Sequence, residues 1–245
     1  MIDIHCHILP EVDDGPQSLK TALKMARIAV KDGVDTIIAT PHSYDGAYNC
    51  QPKDIIARCN KFNDILNREN IKLSVLPGAE VRLTPEFLVA FDQGKVLTLG
   101  NSYNALLLEL PDRFIPDAVV RIIKKLKIRG IICILAHPEK NSLLLSRNEI
   151  LKELVFAGAE LQITADSLTG GCGRESKLMA QKCILMNVRC YLASDGHDTW
   201  KRKPVMSKAL KVASKLVGKN AAHEMVNVDF GDADYRMSKL LNNST

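Results

Sequence analysis

Short apolar runs rich in β-branched residues alternate with amphipathic stretches along most of the chain. The runs have the length and composition of buried strands, and they predict strands at residues 2–4, 36–40, 73–76, 105–108, 131–135, 160–163 and 189–193. The amphipathic stretches predict helices at residues 19–32, 52–69, 116–127, 148–157, 175–186 and 204–217. Ser18 is a favourable amino-terminal cap for the first helix, and Gly33 readily adopts the left-handed conformation that ends one.

The alternation of strands and helices indicates an α/β fold with a parallel sheet or barrel, rather than a sandwich or a helical bundle. About seven strand and helix units follow one another without a flexible linker or an internal repeat. Because parallel strands in one domain leave few exposed edges when they close, we predict a closed or partly closed β/α barrel. We expect a single domain over residues 1–230 and a polar carboxyl-terminal extension over residues 231–245.

The composition is typical of a globular chain without membrane insertion. Hydrophobic residues make up 46% of the 245 residues, which is enough for a sizeable core. The longest apolar runs are far shorter than the roughly 18 residues that cross a bilayer. The chain begins on a strand-like segment without a signal peptide, and its seven cysteines are scattered without CxxC pairs. We therefore expect a cytoplasmic protein without a disulfide framework.

Five of the six histidines lie at or just after predicted strands. His5 and His7 are two residues apart at the end of the first strand, so their side chains project from one face. The other histidines and acids that follow strands are His42, Glu80, Glu109, His137, Asp195 and His197. Because the carboxyl ends of parallel strands meet at one mouth of a barrel, we expect these side chains to converge.

A convergent group of imidazoles and carboxylates is costly to bury without cations. Desolvation and like-charge repulsion oppose it, whereas divalent ions satisfy nitrogen and oxygen ligands together. The candidate ligands outnumber the four that one tetrahedral zinc uses, and they include no thiolate. The pattern therefore predicts two or three ions such as Mn, Fe or Zn. The loop after the first strand adds Glu11, Asp13 and Asp14, and the residues alone leave the choice among them open.

Other chemistry has little support in the sequence. The net charge of +5 is mild and spread out, and aromatic residues make up 5%, so nucleic-acid binding is not expected. Glycine-rich nucleotide motifs are absent. In a cysteine-phosphatase loop, Cys6 would need arginine where Val12 stands, and the segment from Cys183 to Arg189 contains no glycine. We expect Cys6 to be a buried small residue and His223 to be a surface or packing residue.

The order of these motifs resembles that of the polymerase and histidinol phosphatase (PHP) superfamily. The motifs are HCHILP from residue 5, DDGP from 13, TPH from 40, GAE from 78, LE from 108, AHPE from 136 and SDGH from 194. The DDGP loop and the segment LQITADSLTG at residues 161–170 narrow the resemblance to one group within this superfamily. They resemble the bacterial manganese-dependent protein tyrosine phosphatases of the CpsB/CapC/YwqE type, which are associated with capsule and exopolysaccharide synthesis.

The resemblance implies a PHP-type distorted (β/α)7 TIM-like barrel that holds Mn²⁺ ions. By motif position, the ligand sets would be His5, His7, Glu80 and Asp195 for one ion, Glu80, Glu109 and His137 for a second, and Asp14, His42 and His197 for a third. Glu80 would bridge the first two ions. Motif position alone selects Asp14 over Asp13.

The resemblance also implies two cations that hold phosphate. The first family arginine corresponds to Lys140, which departs from the pattern, and the second corresponds to Arg202. Lysine keeps the charge but loses the bidentate fork, so weaker orientation of phosphate is expected. The implied reaction is attack of a metal-activated water on phosphotyrosine of a partner bacterial tyrosine kinase. A metal-bound water or His42 would protonate the leaving group.

Three alternatives stay open on the sequence. The chain could be a PHP phosphatase for a small phosphomonoester such as histidinol phosphate, or a nuclease of the same superfamily, which ranks last because the charge is modest. It could also be a metal-retaining phosphopeptide-binding module that lost turnover through Lys140. A homo-oligomer is compatible with each of these alternatives.

Overall fold

The computed structural model describes residues 1–228 apart from residues 45, 49, 85, 113 and 117. The predicted extension at residues 231–245 lies outside the described residues. Within the described part, all strand pairings are parallel. The strands are β1 Ile2–Cys6, β2 Thr36–Ala39, β3 His42–Ser43, β4 Ser74–Pro77, β5 Glu80–Arg82, β6 Ala105–Glu109, β7 Ile132–Leu135, β8 Ala159–Thr164 and β9 Cys190–Ala193.

These strands form a distorted ring with seven positions. One sheet has the order β1-β2-β4, and the other has the order β3-β5-β6-β7-β8-β9. β3 continues the path of β2, and β5 continues that of β4, because only residues 40–41 and 78–79 separate them. The end of β9 meets β1 where the amides of Asp195 and His7 donate to the carbonyl groups of His5 and Gly196, at 2.8 and 2.9 Å. The predicted α/β barrel is therefore confirmed.

The sequence does not predict the two strand breaks. His42 and Glu80 follow predicted strands in the sequence, but each begins a short strand of its own, and these two strands pair with each other. Pro41 lacks the amide hydrogen that a continuous ladder needs. Gly78 allows a close approach at the second break, since a Cβ there would lie 2.7 Å from Cγ2 of Ile38. The breaks thus set His42 beside Glu80 at the barrel mouth.

The helices surround the ring. They are α1 Leu19–Asp32, α2 Pro52–Arg68, α3 Phe87–Asp92, α4 Ala118–Ile128, α5 Ser142–Ser146, α6 Asn148–Ala157, α7 Ala165–Thr169, α8 Arg174–Ile184, α9 Ser207–Val217 and α10 Lys219–Glu224. The six predicted helices are all present, and the additional ones are short. Ser18 caps α1 by accepting the amide of Thr21 at 3.2 Å, and Gly33 ends it with φ of 93°. No helix of the described part is long and apolar enough to span a bilayer.

Apolar side chains fill the barrel beneath the polar mouth. Ile4, Ile38, Leu107 and Ile134 form an interior cluster, and a larger core lies between the strands and the helices. The pairing register of β1 with β2 shifts within β1, between residues 3 and 6. Such an irregularity lets neighbouring residues of a strand face the same side. Ile4 accordingly packs in the interior while the next residue, His5, belongs to the polar cluster above it.

Candidate metal centre

Strand ends and the loops after them bring the predicted ligands to one mouth of the barrel. The contributing segments are β1 and its loop, β3, β5, β6, the turn after β7 and the loop after β9, and the side chains are His5, His7, Asp14, His42, Glu80, Glu109, His137, Asp195 and His197. Contacts between imidazole nitrogens and carboxylate oxygens join them into one cluster. The predicted convergence is therefore observed for all of these residues.

Four buried side chains surround a point at the centre of the cluster. The Nε2 atoms of His5 and His7 lie 3.2 Å apart, and each lies 3.3 Å from Oε2 of Glu80. Oδ1 of Asp195 lies 3.5 Å from Nε2 of His5 and 3.8 Å from that of His7. An ion about 2.1 Å from each ligand would hold neighbouring ligand atoms roughly 3.0–3.4 Å apart. The observed separations fit such an ion, with Asp195 at the long end.

A second group of side chains lies beside the first. Oδ1 of Asp14 lies 3.2 Å from Nε2 of His197 and 3.5 Å from Nε2 of His42, and His7 belongs to the same group. Nε2 of His197 and Nδ1 of His42 are buried, and neither forms a hydrogen bond with the described residues. Buried polar atoms are normally paired. Imidazole nitrogens that face carboxylates without forming a hydrogen bond are therefore expected where a metal ion would bind.

Glu80 connects the histidines of the cluster. Its Oε2 faces His5, His7 and also Nδ1 of His42 at 3.2 Å, whereas its Oε1 lies 2.8 Å from Nε2 of His137. The two oxygens of one carboxylate therefore face different imidazoles, as a bridging ligand requires. Glu109 forms a third group with Glu80 and His42. The family resemblance assigned Glu80 and Glu109 to one ion together with His137, and the structure places His42 near the same two acids.

The donor set fits two or three divalent ions. It consists of imidazole nitrogens and carboxylate oxygens without sulfur, which suits Mn, Fe and Zn. The separations between ligand atoms, the unpaired nitrogens and the two-sided Glu80 agree with this chemistry. The cluster of imidazoles and carboxylates would otherwise bear the cost of burying many polar groups at close range.

Gln162 supports the cluster, although the sequence analysis did not single it out. It is fully buried on β8, and its Oε1 accepts hydrogen bonds from Nδ1 of His5 at 2.8 Å and from the amide of His137 at 3.0 Å. A proton on Nδ1 leaves the Nε2 lone pair of His5 free to face the cluster. The only sequence signal for this role is a polar residue in the middle of an apolar strand.

The two aspartates of the first loop have different partners. Oδ2 of Asp13 accepts from Nδ1 of His7 at 2.6 Å and from the amide of His42 at 2.9 Å, and its Oδ1 accepts from the amide of Gly15 at 3.0 Å. Asp13 thus orients His7 from behind, while Asp14 reaches the cluster. This geometry favours Asp14 as the ligand, and Glu11 belongs to none of the candidate groups formed by the described residues.

The charges of the cluster stabilise one another. Burial opposes protonation of His7, but hydrogen bonds to Asp13 and Glu80 outweigh it and raise the pKa of His7 to about 10. Burial would raise the pKa of Asp195, but the positive charge of Lys140 and neighbouring histidines holds that pKa well below its usual range. The central carboxylates are therefore anionic, and protons compete with metal ions for the imidazole nitrogens.

The two predicted phosphate-binding cations lie at the rim of the cluster. Lys140 pairs with Oδ2 of Asp195, and Nη2 of Arg202 lies 3.1 Å from Oδ1 of the same residue. Asp198 organises the loop before Arg202, since its Oδ1 accepts the amides of Trp200, Lys201 and Arg202 at 2.7, 2.7 and 3.0 Å. Both cations are thus held beside the candidate ligands, on side chains that solvent reaches.

Asp3 and Ser194 join the two ends of the ring beneath the cluster. Asp3 accepts the amide of Ser194 at 3.0 Å and its hydroxyl at 2.5 Å, and the hydroxyl accepts the amide of Gly196 at 3.0 Å. Burial raises the pKa of Asp3 to about 6, although these hydrogen bonds oppose the shift. Sequence reasoning did not identify this role, because Asp3 is a single acid within an apolar strand.

Five of the seven cysteines are buried. Cys6 is fully buried in the outer core, and burial raises the pKa of its thiol. Cys183 is fully buried as well. All seven cysteines are free thiols. The expectation that Cys6 is a buried small residue is confirmed, and His223 is exposed on α10 as expected.

The chain is similar to known proteins over most of its length. The sequence profile for capsular polysaccharide synthesis proteins of the CpsB/CapC type matches residues 1–230. The tyrosine-protein phosphatase YwqE of Bacillus subtilis is 37% identical over 218 residues, which cover 89% of this chain and 85% of YwqE. The tyrosine-protein phosphatase CpsB of Streptococcus agalactiae serotype V is 29% identical over 234 residues, covering 92% of this chain and 94% of CpsB.

Solved structures give the same result. One match comes from the crystal structures of YwqE from Bacillus subtilis and CpsB from Streptococcus pneumoniae, which are described as metal-dependent tyrosine phosphatases. It has a TM-score of 0.87 and 35% sequence identity, and the alignment covers 91% of this chain and 90% of the matched chain. A β-aspartyl dipeptidase of Fervidobacterium islandicum, at 12% identity and a TM-score of 0.51 over 92% of this chain and 70% of its own, shares the fold alone. This chain therefore belongs to the CpsB/CapC family of capsular polysaccharide synthesis proteins.

Proposed function

We propose that this chain is a metal-dependent protein tyrosine phosphatase that hydrolyses phosphotyrosine on a partner bacterial tyrosine kinase and so regulates capsular or exopolysaccharide synthesis. The observation that carries the proposal is the buried cluster of imidazoles and carboxylates with two cations at its rim. The family match and the relatives named tyrosine-protein phosphatases support the phosphotyrosyl substrate.

The cluster is suited to two or three Mn²⁺ ions, and Fe or Zn fit the same donors. The nine side chains of the cluster would hold these ions, and Asp14 would be the ligand from the first loop. When bound, such ions supply Lewis-acid stabilisation of phosphoryl oxygens and lower the pKa of water at the site. Asp13 and Gln162 hold the rings of His7 and His5 in the required orientation.

Lys140 and Arg202 would hold the non-bridging oxygens of the phosphoryl group. The side chains of Lys140 and Arg202 are 27% and 42% exposed, so both can turn from Asp195 to an incoming anion. Arg202 can donate two parallel hydrogen bonds, whereas Lys140 acts as a point charge. Asp195 keeps both cations near the phosphoryl position until a substrate arrives.

His42 is better suited to bind an ion than to act as a general acid. Both of its ring nitrogens face carboxylates, Nδ1 toward Glu80 at 3.2 Å and Nε2 toward Asp14 at 3.5 Å. A general acid needs an N–H directed at the leaving group. A tyrosine hydroxyl has a pKa of about 10, so its phenolate leaves without strong assistance from an acid.

The cysteines support a reducing compartment, and we propose the cytoplasm as the site of action. Seven free thiols, most of them buried, are usual where disulfides do not persist. The substrate kinase would present its phosphotyrosine to the barrel mouth from the same compartment.

The test is turnover of a phosphotyrosyl peptide by protein stripped of metal and then reloaded with Mn²⁺. We expect hydrolysis only after reloading, and a clear preference for the phosphotyrosyl peptide over histidinol phosphate. Activity that survives complete metal removal would exclude the mechanism. Preference for histidinol phosphate would indicate the small-molecule phosphatase, and phosphopeptide binding without turnover in both the native chain and Lys140→Arg would indicate the binding module.

A further inference from the structure

A groove lined by cationic side chains leads away from the rim of the metal centre. Its volume is about 810 Å³, which is within the range of pockets that hold ligands of several hundred daltons. Lys140, Asp195 and Arg202 line the end at the metal centre, and Lys31 and Lys208, on α1 and α9, line other parts of it. We call this surface the basic groove.

Four lysines of the basic groove have no ionic partner among the described residues. Lys31, Lys201, Lys203 and Lys208 are exposed, and no ion pair among the described residues involves them. A concentration of unpaired cations in a concave surface raises the local potential and attracts anionic ligands.

The acids that line the groove are fewer than its cations. Asp32 accepts the amides of Met206 and Ser207 at 2.6 and 2.8 Å and the Ser207 hydroxyl at 2.6 Å, so its carboxylate is turned to the start of α9. Asp195 is already paired with two rim cations. Asp166 is the remaining acidic side chain of the described lining, and it is exposed to solvent.

A hydrogen-bonding group at the groove is also unsatisfied. Thr164 lines the groove at the end of β8, and the residue is 2% exposed. Its hydroxyl forms no hydrogen bond with the described residues. A buried hydroxyl is normally paired, so this atom has hydrogen-bonding capacity left for a polar group in the groove.

We propose that the basic groove binds an acidic segment of the substrate polypeptide next to its phosphotyrosine. The inference rests on the proposed function, since the phosphotyrosine itself would be held by Lys140 and Arg202 at the shared end. Carboxylates of the segment would pair with Lys31, Lys203 and Lys208. The groove is concave, which fits a polypeptide segment better than the plane of a membrane.

The experiment compares two phosphotyrosyl peptides of equal length, one with glutamate and one with glutamine at the positions around the phosphotyrosine. We expect kcat/KM to be about tenfold higher for the glutamate peptide, chiefly through KM, since several exposed ion pairs act together. The variant Lys31→Gln/Lys203→Gln/Lys208→Gln should lose this preference. Its hydrolysis of p-nitrophenyl phosphate, which is too small to reach the groove lysines, should stay within twofold of the native value.

A matched variant separates the groove from the overall charge. Lys72, Lys124 and Lys125 are exposed lysines outside the groove, and Lys72→Gln/Lys124→Gln/Lys125→Gln should retain the preference for glutamate. Equal kcat/KM for the two peptides in the native protein would overturn the proposal. An equal loss on p-nitrophenyl phosphate and on both peptides would assign the lysines to the phosphoryl site, and would also overturn it.

Binding distinguishes failure of the groove from failure of the proposed function. Fluorescence anisotropy of a labelled, unphosphorylated glutamate peptide should show weaker binding to the groove variant than to the native or matched protein. If the protein hydrolyses none of the substrates but this difference in binding persists, the proposed phosphatase function is wrong and the binding of acidic polypeptide to the groove is supported. If binding to phosphatidylglycerol vesicles depends on the groove lysines and the two peptides do not differ, the groove binds an anionic lipid surface and the proposal is overturned.

Discussion

The buried side of the metal centre and its rim are built in different ways. His5, His7 and Glu80 are at most 1% exposed, they lie on or next to strands, and each histidine has a second buried partner behind it. Lys140 and Arg202 lie on a turn and a loop and contact the cluster through carboxylates. Barrel geometry therefore fixes the inner side chains, whereas the partly exposed rim leaves room for a different cation at residue 140.

The largest effect is expected from removing an inner ligand. The substitution His7→Ala deletes a nitrogen common to two candidate groups and leaves Asp13 without its partner. We expect loss of at least about 10³-fold in kcat/KM and a lower content of bound metal, because the ions supply several kcal/mol of charge stabilisation. Metal analysis and phosphatase assays measure both. His223→Ala is the matched control on the surface, and equal effects of the two substitutions would contradict the assignment.

A smaller effect, on stability, is expected beneath the cluster at Asp3. Its folded pKa of about 6 lies above its ordinary value of 3.8, so the folded state binds more protons than the unfolded state between these values. The contribution of Asp3 is therefore favourable below pH 4 and is lost as the pH rises through 6. The shift corresponds to about 3 kcal/mol.

The variant Asp3→Asn isolates this contribution. Relative to the native protein, its free energy of unfolding should rise by up to about 3 kcal/mol between pH 4 and pH 7. Urea unfolding of metal-free protein at constant ionic strength measures the difference. Parallel pH profiles of the two proteins would show that Asp3 titrates normally in the folded state.

Next in size is the expected effect of losing the support behind His5. Gln162→Leu keeps the volume of the side chain but removes the acceptor for Nδ1 of His5 and for the amide of His137. Loss of such outer partners typically costs 10- to 100-fold in metal affinity or activity. Titration of the metal-free variant with Mn²⁺ measures the affinity. An unchanged affinity would mean that the barrel alone orients His5.

The smallest effect is expected at the rim. Lys140→Arg introduces the planar fork that the family resemblance implies at this position, and we expect a two- to fivefold rise in kcat/KM, roughly one extra charged hydrogen bond at a partly exposed position. Lys140→Ala should lower kcat/KM by about tenfold. Steady-state kinetics on a phosphotyrosyl peptide measures both. A loss with arginine as large as that with alanine would contradict the idea of an adaptable rim.

Sequence reasoning was most successful for side chains at strand ends. His5, His42, Glu80 and His197 could be grouped because parallel strands bring their carboxyl ends together, whatever the distance along the chain. Gln162 could not be identified in this way, since nothing in the pattern of its strand distinguishes a polar side chain that supports a ligand from one that faces solvent.

The strand breaks and the basic groove were beyond sequence reasoning for other reasons. Strands of two or three residues, such as β3 and β5, are too short to show a period. Lys31 is far along the chain from Lys203 and Lys208 and comes beside them because Asp32 at the end of α1 binds the start of α9. Such a contact depends on tertiary packing, which propensity and pattern do not encode.

The junction of β9 with β1 sets the order in which this protein can mature. Cys6 pairs with Gly196 across 190 residues, and Asp195 contributes to the same cluster as His5. During synthesis the first histidines leave the ribosome long before β9 does, and contacts of such high sequence separation form late in folding. The nascent chain therefore cannot assemble the cluster until nearly all of the barrel has been made, so binding of metal at this site would report completion of the barrel.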